Sequence, residues 1–174
     1  MPDADARMWT HAELVAVAAR WLQGSQRCAV VITEMTTGER ETPDAIGWQG
    51  RHSIVVECKA SVADWRADGQ KYFRRQPERG MGRRRYWLVP KLLAEHAPAD
   101  DGWGLVVVND AGRARLARES RWWREWNAAA EVGLLVSALR RVGQTAPAGV
   151  SVRCYTYQTQ RRATLGVAEE SPDA

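Results

Sequence analysis

Apolar positions recur at two periods along the chain, and the switches between them predict an order of elements. Leu14, Val17, Ala18, Trp21 and Leu22 fall at i, i+3, i+4, i+7 and i+8, the single stripe of a helix that faces a core. Thr10-His11-Ala12-Glu13 has the Thr-x-x-Glu form of a capping box that opens this helix, and Gly24-Ser25 ends it. Ala29 to Ile32 reads as a buried strand, which Thr33 to Thr36 continue toward a turn containing Gly38. The polar turn Gln49-Gly50-Arg51-His52 then separates a strand carrying Asp44 from the apolar run Ile54-Val55-Val56. Ser61-x-x-Asp64 repeats the capping form and predicts a helix to about Gln76, where Pro77 stops it.

Further on, Gly80 and Gly82 bracket an expected flexible loop, and Tyr86–Val89 and Trp103–Val108 read as strands. Asn109–Gly112 is a turn leading to an edge strand over Arg113–Ala117. Ser120 is expected to cap a long helix ending near Val142, with Trp123, Trp126, Ala130, Gly133 and Leu134 at helical spacing. Thr145–Gly149 is a linker before a last alternating strand, Val150–Tyr157, and residues 1–8 and 169–174 are expected to be disordered. The whole predicts one α/β domain with a mixed central sheet and helices on its faces.

Composition narrows the setting. At 174 residues and 45% hydrophobic, the chain is long enough for one sizeable core. Its three cysteines are odd in number and widely spaced, against a disulfide framework or a zinc site and in favour of a reducing cytoplasm. No run approaches the ~20 apolar residues that span a bilayer, no signal peptide is visible, and no membrane partner is expected. The net charge of +4 suits a polyanionic partner without specifying one.

Candidate chemistry concentrates between Thr42 and Ser61, TPDAIGWQGRHSIVVECKAS. Strand alternation puts Glu57 and Lys59 on one face and Cys58 on the other, while the turn brings Asp44 back beside Glu57. Two carboxylates and an ammonium at one strand end suit a hard divalent cation and a phosphate oxygen. On spacing alone, a surface ion pair between Glu57 and Lys59 explains the same residues equally well. His11, His52 and His96 have no ligand spacing, and no glycine-rich phosphate loop with a lysine is present.

Pro43-Asp44 followed by Glu57-x-Lys59 resembles the signature of the PD-(D/E)xK nuclease superfamily. The longer string ECKASVADWRAD resembles MmcB-like DNA-repair proteins and a group of small phage-encoded relatives, which PERGMGRRRYWLVP also resembles. The likeness covers about half the chain, from near Val30 to near Val108. It implies a restriction-endonuclease-like αβββαβ core with a helix and a strand added at the C-terminus. It also implies Mg²⁺ (or Mn²⁺) held by Asp44, Glu57 and the Cys58 carbonyl, with Lys59 assisting the attacking water. Glu34, at the end of the first strand, and Gln70, on the helix after Lys59, join this catalytic set. Glu13 matches by position an acid that many members carry on their first helix, although its capping role already accounts for it.

The partner signal lies downstream. Lys71, Arg74, Arg75, Arg79, Arg83, Arg84 and Arg85 stand against one acid, Glu78, a local excess of +6 within fifteen residues. Arginine forks match phosphate oxygens, and the two glycines would let backbone amides approach one. These seven residues are the expected nucleic-acid contacts, beside the metal site. Of Trp122, Trp123 and Trp126, at least two are expected to pack inward; Trp48 and Trp65 are the better candidates to touch substrate. The expected function is a metal-dependent endonuclease acting on duplex or branched DNA in phage DNA metabolism or repair, with a homodimer compatible with it. The alternative is a non-cleaving nucleic-acid-binding or repair-accessory module on the same fold.

Overall fold

The structure, a computed structural model, describes residues 7–69, 72–99, 101–142 and 151–154. Its elements are α1 (His11–Gly24), β1 (Val30–Thr33), β2 (Ala45–Gln49), β3 (His52–Cys58), α2 (Val62–Asp68) and α3 (Tyr72–Arg75). They continue with β4 (Arg84–Pro90), β5 (Gly104–Val108), β6 (Ala114–Arg118), α4 (Ala128–Val142) and β7 (Ser151–Cys154), with short 3₁₀ turns at Pro77–Arg79 and Lys91–His96. This is a mixed α/β fold, a mixed sheet flanked by helices.

Seven strands form the sheet in the order β6-β5-β4-β3-β2-β1-β7. β1, β2 and β3 pair antiparallel, with Ala45 opposite Val56 and Gln49 opposite His52. The crossover through α2 and α3 makes β4 parallel to β3, and β5 is parallel to β4. Alternation along the strands then sorts two cores. On one face α1 lays Leu14, Val17, Ala18, Trp21 and Leu22 over Ala45, Ile54, Val56, Cys58, Tyr86 and Leu88. On the other, Ala130, Leu134 and Ala138 of α4 join Met35, Ile46, Val55, Met81, Trp87 and Trp103. Val55 and Glu57 share this second face, so a carboxylate enters a tryptophan-lined core.

Local chemistry explains the ends. The Thr10–Glu13 and Ser61–Asp64 capping boxes both form, as the spacing predicts. β1 stops at Thr33 instead of running to Thr36, because Glu34 takes a left-handed backbone, φ 47°, that no strand tolerates. The helix expected to reach Gln76 is Val62–Asp68 and then Tyr72–Arg75, with Gly69 capping the first piece. The predicted helix from Ser120 begins only at Ala128. The donors before it are taken elsewhere: Arg121 N–H by Gly102, Trp123 N–H by Arg83 and Asn127 N–H by Gly80. Asn127 Oδ1 instead accepts from Ala130 N at 3.0 Å, as a helix N-cap does. Of the expected arm at 1–8, residues 1–6 lie outside the described residues, while Arg7 is held by Glu13 at 2.7 Å; the linker, the tail and the final strand beyond Cys154 also lie outside.

The Gly80–Gly82 segment is not a flexible loop. Met81 is fully buried, its N–H is held by Glu41 at 2.6 Å, and Gly82 N–H is held by Glu131 at 2.8 Å. Gly82 has φ +91°, and a Cβ there would meet Val55 at 2.9 Å, so glycine is required for this close approach. Two buried acids thus occupy the amides expected to meet a phosphate.

Candidate active site

The hairpin delivers the predicted acids to one end of the sheet but turns them to different surroundings. Asp44, immediately before β2, accepts the Cys58 N–H through Oδ2 at 2.7 Å, which fastens it to the end of β3. Its Oδ1 lies 3.4 Å from Nε2 of His11, at the start of α1, and the same nitrogen is 3.6 Å from Glu34 Oε1. Asp44 is 18% exposed at its side chain and Glu34 46%, so this side of the cluster is open to solvent. The hydrogen bond to Asp44 raises the His11 pKa against the opposing effect of burial, and the charges of Asp44 and Glu34 add to it. Sequence reasoning missed His11, because its contact with Asp44 is made by the docking of α1 and leaves no spacing to read.

Glu57 and Lys59 share the other face, as alternation requires, but both are buried. Lys59 Nζ is 2.9 Å from Asp68 Oδ1 and 3.8 Å from Glu57 Oε2. Arg74 closes the network, 3.2 Å from Glu57 Oε2 and hydrogen-bonded to Asp68 through Nε. Burial pushes Asp68 upward, but the bonds and charges of Arg74 and then Lys59 outweigh it and hold its pKa well below the usual carboxylate range. For Arg74 itself, burial is overcome by the charge of Glu57 and the bond to Asp68, and its pKa rises.

Aromatic rings roof the network. The Arg74 guanidinium lies 4.1 Å from the Trp103 ring and 4.7 Å from Trp87, and Trp87 stacks on Trp103 at 4.2 Å. Trp65 meets Trp87 edge-on at 4.8 Å, so it belongs to this roof, not to an open substrate contact. Glu41 lies near the same charges. Burial lifts its pKa to about 7, against the Met81 N–H bond that lowers it.

The arginine cluster is divided by the fold. Arg74 is part of the buried network, and Arg85 is 2% exposed, donating to the carbonyls of Gly80 and Gly82. Burial lowers the Arg85 pKa to about 10. These two are therefore structural, and their expected role as nucleic-acid contacts is corrected. Arg75 and Arg79 are exposed, and Arg83 and Arg84 are partly so. Gln70 and Lys71 lie outside the described residues.

Position also departs from expectation. β4 begins at Arg84, opposite Ile54, and Arg83 N–H bonds Ser53 Oγ, so Arg83 and Arg84 stand near the start of β3. Glu57 and Lys59 stand toward its other end, three and five residues beyond Ile54, about 10–16 Å away at ~3.3 Å per strand residue. Arg83 and Arg84 are therefore set apart from the acids, whereas Arg75 adjoins Arg74 on α3.

Oxygen donors such as Asp44, Glu34 and Glu57 suit Mg²⁺ or Mn²⁺, which keep several waters and need few protein ligands. Among the described residues, no group of three or more His, Cys, Asp or Glu side chains could hold a metal ion as they stand. Arg74 balances Glu57 in this structure, so it competes with any divalent ion for that carboxylate. The Cys58 thiol faces the opposite core, and burial, with Asp44 and Glu57 adding to it, drives its pKa well above the ordinary value. Only its backbone belongs to the site.

Among the described residues no helix is long and apolar enough to cross a membrane. No family model matches the chain, and no curated protein does. The fold is similar to that of the SPO1766 protein of unknown function from Silicibacter pomeroyi. That similarity has a TM-score of 0.58 and 22% identity, and covers 79% of this chain and 90% of the other.

Proposed function

We propose that the protein is a divalent-metal-dependent endonuclease that hydrolyses phosphodiester bonds in DNA, working at the end of β3. The observation that carries this reading is the Asp44–Cys58 hydrogen bond at 2.7 Å. It fixes a partly exposed carboxylate at the strand end where Glu57 and Lys59 lie buried, with Glu34 and His11 around it. The order helix, three strands, helix, strand is also the one that the PD-(D/E)xK resemblance implies.

Asp44, Glu57 and the Cys58 carbonyl are the groups that would hold the ion, with Glu34 adjacent. The ion would supply an activated water and offset charge on the phosphate. Lys59 contributes an ammonium that donates to a phosphate oxygen or to the attacking water. Asp68 holds that ammonium in place at 2.9 Å, and Arg74 secures Asp68. A second reading, a DNA-binding or repair-accessory module that does not cleave, draws on the depth of Glu57 and Lys59, 1% and 4% exposed.

Incubation of supercoiled plasmid with Mg²⁺ or Mn²⁺, with and without a chelator, separates the two. Nicking by the wild type that is lost in both Asp44→Ala and Lys59→Ala is the expected result. Retarded but uncut plasmid with all three proteins would establish the non-cleaving module.

A further inference from the structure

At the opposite end of β3 the fold leaves a tryptophan in solvent. Trp122 is 46% exposed, while its neighbour Trp123 is 4% exposed and packed in the core. Residues 119–127 are held as an irregular strap by backbone bonds to Gly80, Arg83 and Gly102, so Trp122 is displayed from a fixed segment. The His52 ring lies 5.2 Å from it. Arg83 sits 5.2 Å from the Trp122 ring and 3.6 Å from Trp126, and Arg84 lies 5.9 Å from Trp122. Two adjoining depressions run along the strap, sharing Glu78, Arg124 and Glu125.

Charge decides what this surface fits. Arg79, Arg83, Arg84, Arg121 and Arg124 face three acids, Glu78, Glu119 and Glu125, a net +2. Glu119 is engaged by the Tyr86 hydroxyl at 2.8 Å and by Arg84 at 3.6 Å. A surface that grips a duplex backbone neutralises several phosphates and rejects interspersed carboxylates. A stacking platform needs an exposed ring, flanking cations for one or two phosphates, and bases that are not already paired.

We propose that Trp122, flanked by Arg83, Arg84 and Arg124, is a stacking platform for unpaired nucleotides, so that the protein engages single-stranded DNA at this end of the sheet. The proposal rests on the nucleic-acid reading above and names its substrate class.

Fluorescence anisotropy with an end-labelled twelve-nucleotide dT oligonucleotide and a duplex of equal length, in chelator, tests binding apart from cleavage. The wild type should prefer the single strand, with a salt slope of only about −1 to −2, as ~0.7 per phosphate and two phosphates predict. Trp122→Ala should weaken single-strand binding about ten-fold or more, and Trp122→Phe should restore most of it. Equal single-strand affinity in wild type and Trp122→Ala, preference for the duplex, or no binding by the wild type would each overturn the platform. Failure of the nuclease reading would show differently: Trp122-dependent binding with no metal-dependent cleavage leaves the platform standing. Cleavage that persists with single-strand binding insensitive to Trp122 leaves only the nuclease.

Discussion

The two ends of β3 use arginine and tryptophan under opposite conditions. At the Glu57 end, Arg74 is clamped between two carboxylates beneath stacked tryptophan rings and is 11% exposed at its side chain. At the His52 end, Arg84 is 37% exposed at its side chain, 3.6 Å from Glu119, and lies beside a tryptophan open to water. The first arrangement holds the fold and positions a lysine; the second stands open to solvent. What separates them is burial, since a charge removed from water must be paired and a charge left in water gains little from pairing.

Removing the buried arginine should expose that difference most sharply. Arg74→Ala leaves Glu57 and Asp68 short of a cation inside the core, and should cost about 3–5 kcal/mol in urea unfolding. Added Mg²⁺ should return part of that loss, because an ion bound only to the folded state stabilises it. Undiminished stability would mean that the network is solvated and the contrast between the two ends is false.

Glu41, beside the same network, gives a pH test of intermediate size. Its pKa is about 7 when folded against an ordinary 4.5, so between those values the folded chain keeps a proton that the unfolded chain releases. Its contribution therefore falls as pH rises through that window, by of order 3 kcal/mol in total, and is level above it. Glu41→Gln should remove this slope while keeping an acceptor for Met81 N–H. Urea unfolding at pH 5 and pH 8 measures it; parallel changes in both proteins would remove Glu41 from the account.

The smallest effect belongs to the open end. Arg84→Ala removes the exposed contact with Glu119 and the cation beside Trp122, and should shift stability by less than about 0.5 kcal/mol. A larger loss would show that this arginine, too, is structural.

Local signals were legible where chemistry is local. The apolar stripe of α1, both capping boxes and the turn between β2 and β3 follow from residues a few positions apart. The pairing of Asp44 with the end of β3 follows from that turn. The arginine run does not form one surface, because its members are adjacent in sequence but Arg74 and Arg85 turn inward. Burial of Arg85 and Arg74 depends on carbonyls and carboxylates brought in by tertiary packing. Ser120 carries a cap signal, but its hydroxyl accepts from Arg85 N–H, and neighbouring amides bond distant carbonyls, so the helix starts eight residues later. His11 and Asp68, side-chain partners of Asp44 and Lys59, stand on helices whose docking no spacing reveals.

The most direct measurement is a calorimetric titration of Mn²⁺ into the wild type, Asp44→Asn and Glu57→Gln. A saturable site in the wild type that either substitution abolishes or weakens at least ten-fold is the expected result. Manganese binding of equal strength in all three proteins, or none in the wild type, would contradict it.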